Sequence, residues 1–384
     1  MSESQQPNRS ATFTAVLSRA LAALLVLALW GCSAQAPEGL IPPELLSQML
    51  ELEELQGRVV VAWQIDDGMR AWAEERVSDS MPAEAKLERL VKELLDNRVL
   101  PLQYTRETTG TAIEVFETRQ ANCLAFTNLF VGMARELGVP VFFLAVEDVA
   151  TYRREGDLVV ISDHIAVGFE RGLDIKMYDF SEHGMQEHTK IRRISDLTAL
   201  AMFHSNRGVE ALRDGDLEGA TGWLRTAATL DPGLANAWVN LGVVLRRAGD
   251  LAAAEAAYRQ AIELDPRLPS PYQNLAALLR HLGREDEARE LEDVLARAPN
   301  RNPFTYLALG DVSRERGHLD EARRLYKRAA NLSEGDGEPW AALGELALAS
   351  GDRRQALKML RKARKVEPDD PRALRLAEEL GASR

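Results

Sequence analysis

ANAWVNLGVVLRRAGDLAAAEAAYRQAIELDPRL, from Ala235 to Leu268, is one unit of a 34-residue period that fills the chain from Ala201 to Asp370. The fifteenth position of each unit is glycine: Gly215, Gly249, Gly283, Gly317 and Gly351. The twentieth is alanine: Ala220, Ala254, Ala288, Ala322 and Ala356. Small residues recur at the eighth (Gly208, Gly242, Ala276, Gly310, Gly344), and Trp238, Tyr272, Tyr306 and Trp340 stand at the fourth. Small residues at eight and twenty let two helices approach closely. A glycine at fifteen supplies the left-handed turn that ends the first helix. Pro232, Pro266 and Pro368 stop the second helix and start the next unit. Each unit is therefore a helical hairpin whose apolar face is buried by stacking on its neighbours.

The spacing and residue choice resemble the tetratricopeptide repeat. That resemblance implies five repeats in an all-α solenoid, with Asp370-Pro371 opening a capping helix that ends near Gly381. It also implies a groove lined by the first helices, holding a protein or peptide partner. Asn206, Asn240 and Asn274 share the sixth position. In similar arrays an asparagine there hydrogen-bonds an extended peptide, although the residue is also common in the repeat for structural reasons. His204, His281 and His318 fall within the repeats and are expected at the surface.

Upstream of the repeats, Arg9 and Arg19 precede an apolar run, Ala20 to Trp30, too short to span a bilayer and followed by Gly31-Cys32. Leu29-Trp30-Gly31-Cys32 resembles the lipobox of bacterial lipoproteins. The resemblance implies a signal peptide over 1–31 and a lipid on Cys32. With Ser33 next, it implies a periplasm-facing anchor in the outer membrane, on a tether over 32–45. Cys32 and Cys123 are the two cysteines, so lipidation of the first leaves the second a lone thiol. The net charge of -12 argues against nonspecific binding to nucleic acid.

Residues 46–197 follow a different pattern. Leu87, Leu90, Val91 and Leu94 recur at helical spacing. A second helix begins at Asn122 or Cys123 and runs to Leu137, with Phe126, Phe130 and Met133 on its buried stripe. Three β-rich runs follow, 141–146, 158–169 and 173–180, which implies an α+β domain. Cys123 occupies the first turn of its helix, where unpaired backbone N–H groups and the positive end of the helix dipole favour negative charge. Read as a two-residue turn, Arg171-Gly172 pairs Phe169 with Asp174 and sets His164 directly across from Asp179.

Helix-borne cysteine, strand-borne histidine and strand-borne aspartate, in that order, resemble the transglutaminase-like, papain-like cysteine superfamily. The likeness is carried by RQANCLAFTNLFVGMARELGVP, DHIAVGF and MYDF. It implies that Cys123 is a nucleophile, His164 its base and Asp179 the group that orients the imidazole. The backbone N–H of Cys123 is a natural first oxyanion donor, and Gln120 is a candidate second. Taken singly, such a cysteine or histidine is an ordinary core residue. The functional reading rests on the three together. Glu182, His183 and His188 lack cysteine partners and ligand spacing, so no metal is inferred, and no glycine-rich phosphate loop or cofactor motif is present.

Two functions fit this sequence. One is an envelope-anchored cysteine hydrolase, a peptidase or amidase, whose repeats recruit its partner. An amine in place of water as acceptor makes the same chemistry a transglutaminase. The other is a catalytically silent protein-binding scaffold of the bacterial envelope.

Overall fold

The computed structural model describes residues 58–381 apart from 97, 106–107, 156–157, 173, 181–190, 298–302 and 334. The side chains of 147–164 and 296–297 are also outside the description. The segment read as a signal peptide, Cys32, and Glu182, His183 and His188 lie outside the described residues. No described helix is long and apolar enough to cross a membrane. The described residues fall into two compact units, one comprising 58–151 and 163–248, the other 152–162 and 249–381.

The first unit opens with α1 (Asp67–Arg76) and α2 (Ala83–Leu95), followed by a short parallel pair, β1 (Gln103–Tyr104) and β2 (Gln120–Ala121). Between these strands lies α3 (Ala112–Thr118), begun by a capping box in which Thr111 and Glu114 satisfy each other's backbone N–H groups. Then comes α4, Cys123–Glu136, whose residues from Leu124 to Ala134 are all buried. A helix apolar on every side belongs at the centre of a core. Gly132 marks its tightest contact: a Cβ there would lie 2.3 Å from the carbonyl oxygen of Trp63.

Four strands follow: β3 (Phe142–Glu155), β4 (Leu158–Arg171), β5 (Asp174–Tyr178) and β6 (Ile191–Ile194), in the order β5-β4-β3-β6. The sequence foretold three of these. The fourth, IRRI, is short and carries two arginines, so it has no strand signature; it pairs antiparallel with β3, Phe143 opposite Ile194. The β4–β5 turn departs from expectation. Arg171 pairs with Asp174 and Val167 with Tyr178, so the connection is at 172–173 and not at 171–172. The cause is Gly172, whose φ of +66° takes the left-handed first loop position that an arginine disfavours. Every pairing therefore moves by two residues. Asp179, one step past the end of β5, lines up with Ala166.

The first repeat belongs to this unit. Helix α5 (Asp196–Arg213) and α6 (Leu217–Leu230) form its hairpin, and α7 (Ala235–Arg247) follows. Ala199 to Phe203 and Leu230 share one hydrophobic cluster with α1, α2 and α4. His204 is fully buried, contrary to the surface position expected. It stands at the fourth position, where later repeats carry aromatic residues. Trp238 there donates to the carbonyl of Pro232 at 3.0 Å. The first repeat has no predecessor, and the ring of His204 instead meets the backbone of Val60, with Nε2 3.2 Å from its nitrogen and 3.3 Å from its oxygen.

The second unit comprises α8 (Leu251–Leu264), α9 (Pro269–His281), α10 (Glu285–Arg297), α11 (Pro303–Glu315), α12 (Leu319–Leu332), α13 (Glu338–Ala349), α14 (Arg353–Val366) and the capping helix α15 (Pro371–Glu379). Across the chain the fifteenth-position glycines all take positive φ, between 75° and 83°. The eighth-position glycines permit close packing. A Cβ on Gly310 would meet the Tyr326 ring at 2.4 Å, and one on Gly344 would meet Leu376 at 2.4 Å. The cap is fastened by Arg372, which is buried and donates to Asp311 and Glu345.

Candidate active site

Cys123 is a free thiol, half-buried at the first residue of α4. The helix starts there because Asn122 caps it: its Oδ1 accepts from the N–H of Ala125 at 2.8 Å. The Asn122 amide nitrogen donates to Thr109 Oγ1 at 2.7 Å, inside the protein. Both side-chain functions of the cap are thus occupied, and the turn bearing the sulfur is held from two directions.

The neighbours of Asp179 pack on the same helix. Tyr178 lies against Phe130, with ring centroids 5.3 Å apart, and Phe180 stacks on Phe126 at 4.3 Å and 21°. Phe126 follows Cys123 by three residues and Phe130 by seven, so all three share one helix face. The chain from 178 to 180 therefore runs along α4 toward its N-terminus, with Asp179 between the two aromatic residues in sequence. Asp179 is itself buried, at 5% exposure.

His164 lies on β4, and its side chain is outside the description. Its position follows from the backbone. With Ala166 level with Asp179, position 164 is a diagonal neighbour of Asp179 and not its direct partner, and it lies toward the N-terminal end of α4. The two-residue shift keeps 164 and 179 on equal parity. Ile165 and Val167 belong to the core that contains α4, whereas Ala166 packs with Phe142, Leu144 and Val146 on the reverse of the sheet.

Gln120 is exposed on β2, three residues before the cysteine. Asn240 donates to Ser205 Oγ at 3.0 Å, whereas Asn274 is buried with its amide nitrogen unpartnered, and Asn206 is half-buried. Sequence reasoning missed Thr109, Glu210 and Arg207 around the cap of α4. Thr109 donates its N–H to Glu210 at 2.6 Å. No local motif marks such a contact, because its partners are 101 residues apart.

Among the described residues, one carboxylate group converges: Asp336, Glu367 and Asp370 in the second unit. Each carboxylate already serves the backbone. Asp336 accepts from Glu338, Glu367 from Gly337, and Asp370 caps α15 through Ala373. Burial nonetheless raises the Asp336 carboxyl to about 6, with Glu338, Glu367 and Asp370 adding repulsion.

Residues 70–145 match the family model of the transglutaminase-like superfamily. Tetratricopeptide repeat models match 235–268, 257–290 and 313–380. The first match runs from α1 into β3. It contains Cys123 and stops before His164 and Asp179. No curated protein matches the chain. Solved structures similar to it include the Cut9–Hcn1 hetero-tetramer of the APC/C, at 18% identity, 47% of this chain, 36% of that one and a TM-score of 0.39. A thermophilic tetratricopeptide protein of Thermus thermophilus is 23% identical over 47% of this chain and 97% of its own, with a TM-score of 0.39. YrrB, described as a tetratricopeptide protein with an unusual peptide-binding site, is 21% identical over 46% and 92%, with a TM-score of 0.33.

Proposed function

We propose, for a chain that joins a transglutaminase-like domain to a protein-binding array of tetratricopeptide repeats, that it is a cysteine acyl-transfer enzyme acting on amide substrates. One observation supports this reading best: Tyr178 and Phe180, which flank the buried Asp179, pack on the helix face that begins at Cys123. In this reaction the Cys123 sulfur attacks the amide carbonyl, and its proton passes to His164. The carbonyl oxygen gains charge that the backbone N–H groups of the first turn of α4 stabilise. The C–N bond breaks, and His164 returns the proton to the departing amine. Water, or a second amine, then attacks the thioester and frees the sulfur. Asp179 holds the imidazole in the required tautomer. The array recruits a protein or peptide partner, with Asn206, Asn240 and Asn274 as candidate contacts.

The chain is further proposed to be a lipoprotein, anchored through Cys32 and facing the periplasm of a bacterial envelope. Radiolabelled palmitate incorporated by the wild type and not by Cys32→Ser supports the anchor; equal incorporation removes it.

A thiol-reactive activity probe with peptide mapping tests the enzyme. The expected product is modified Cys123, lost in His164→Ala. Labelling unaffected by that change contradicts the triad. A second reading, a silent scaffold, is favoured by the end of the transglutaminase-like match at 145, before His164 and Asp179, and that result would select it.

A further inference from the structure

The cap of the cysteine helix is connected to the first repeat. Asn122 holds the first turn of α4 through Ala125, and Asn122 is itself held by Thr109 Oγ1. Thr109 is 1% exposed and carries no charge of its own. Its backbone is gripped on both sides by α5. The N–H donates to Glu210 Oε1 at 2.6 Å, and the carbonyl accepts from Arg207 Nη1 at 3.5 Å. Glu210 and Arg207 are three residues apart, one turn of the helix, and Arg207 lies 3.7 Å from Glu210 and 4.0 Å from Glu114. Burial raises the Glu210 carboxyl, and the Thr109 hydrogen bond with Arg207 and Arg213 opposes that rise. A partly desolvated carboxylate is a strong acceptor, and the short distance fits a charge-assisted bond.

One acceptor oxygen of Glu210 holds the Thr109 peptide group, the hydroxyl of that same threonine holds Asn122, and Asn122 caps the helix. Every link is a directional hydrogen bond between buried or half-buried groups, so a displacement at α5 reaches the turn that presents the thiol.

We propose that Glu210 is a positioning residue for Cys123: through Thr109 and Asn122 it sets the first turn of α4, and the first repeat is thereby part of the reactive site. Its consequence for chemistry rests on the reading of Cys123 as a nucleophile; the mechanical link does not.

The test uses the full chain as wild type, Glu210→Gln, Glu210→Ala and, as a control on an exposed site, Glu218→Ala. Two quantities are followed: the rate of Cys123 alkylation by iodoacetamide as a function of pH, and peptide-resolved hydrogen exchange over 108–111 and 122–127. Glutamine keeps an acceptor oxygen and is expected to stay within about twofold of wild type in both. Alanine removes the acceptor and is expected to slow alkylation about fivefold and to raise exchange at 122–127 by a similar factor, the scale of a lost helix cap. Wild-type behaviour in Glu210→Ala would overturn the proposal. So would exchange raised uniformly across the first unit and not restored by glutamine, which is the mark of a merely structural contact. A wild-type thiol that alkylates slowly, with no response to His164→Ala, refutes the nucleophile reading instead, and the exchange measurements still decide the link.

Discussion

Arg135 closes the far end of the cysteine helix as firmly as Asn122 opens the near one. Its guanidinium makes a two-pronged contact with Asp196 at 3.0 and 2.8 Å, donates to the carbonyl of Val141 and lies 5.6 Å from the Trp63 ring centroid. Asp196 is 1% exposed, so Arg135→Ala takes the guanidinium away from a buried carboxylate. Arg135→Ala is expected to cost about 3–5 kcal/mol in urea denaturation. Lysine cannot reproduce the fork, so Arg135→Lys should recover less than half of that loss. Glycines provide a second comparison. Gly132→Ala would force a Cβ to within 2.3 Å of a backbone oxygen, at an expected cost of about 1–3 kcal/mol. Gly222 has nothing within 4 Å of the same atom, so on helix α6 its alanine variant should be neutral or gain up to about 1 kcal/mol. At this scale the sequence was only partly readable. The fifteenth-position glycines announced their own conformation because the period isolates them. Thr109 and Glu210 announced nothing, since their roles exist only once distant segments meet. His204 was readable and was misread: the period puts it at the fourth position, whose occupants Trp238, Tyr272 and Tyr306 are all buried.

Elements are where packing turns such residues into pH dependence. Helix α5 carries His204 into the core between Val60, Phe203 and Trp223, with ring centroids 5.6 and 5.0 Å away for the last two. Burial, with Arg207 nearby, lowers this imidazole from 6.5 to about 4, against the Val60 hydrogen bond. The unfolded chain therefore takes up the proton first. Stability contributed by the neutral ring is complete above pH 6.5. It is lost as pH falls from there toward about 4, by roughly 3 kcal/mol if no other group intervenes. His204→Phe should flatten that part of the stability curve; an unchanged slope would show that another group titrates. Asp336, before α13, behaves with the opposite sign. Its carboxyl is raised to about 6, so its charge disfavours the fold at neutral pH and the burden lifts as pH falls from about 6 toward 3.8. Asp336→Asn keeps the acceptor for Glu338 and is expected to stabilise by about 1–3 kcal/mol at neutral pH, with the gain gone near pH 4. Helices and their ends were legible because periodicity and caps are local. The β4–β5 register was not, since one glycine moved the turn by a residue and every pairing by two.

On the scale of the whole molecule, the repeats and the α+β domain are not separable where their sequence patterns change. The sequence boundary near 198 passes through a shared core that holds Ala199 to Phe203 beside α4. A chain ending at Ser195 should therefore lose cooperative unfolding, and one ending at Ala248 should keep it; circular dichroism during urea titration distinguishes them. The repeats could be read from their period, because each restates its own rules, and the α+β domain from its resemblance to the transglutaminase-like superfamily. The packing of Phe180 on Phe126, which draws the segment around Asp179 to the cysteine helix, was not legible, because no spacing specifies that contact. The central claim is that Cys123 works with His164 as a nucleophile. Its most direct measurement is the rate of Cys123 alkylation by iodoacetamide near neutral pH in wild type and His164→Ala. The account predicts wild-type alkylation about tenfold or more above the variant, the scale of a lost general base. Equal, slow alkylation of both would contradict it.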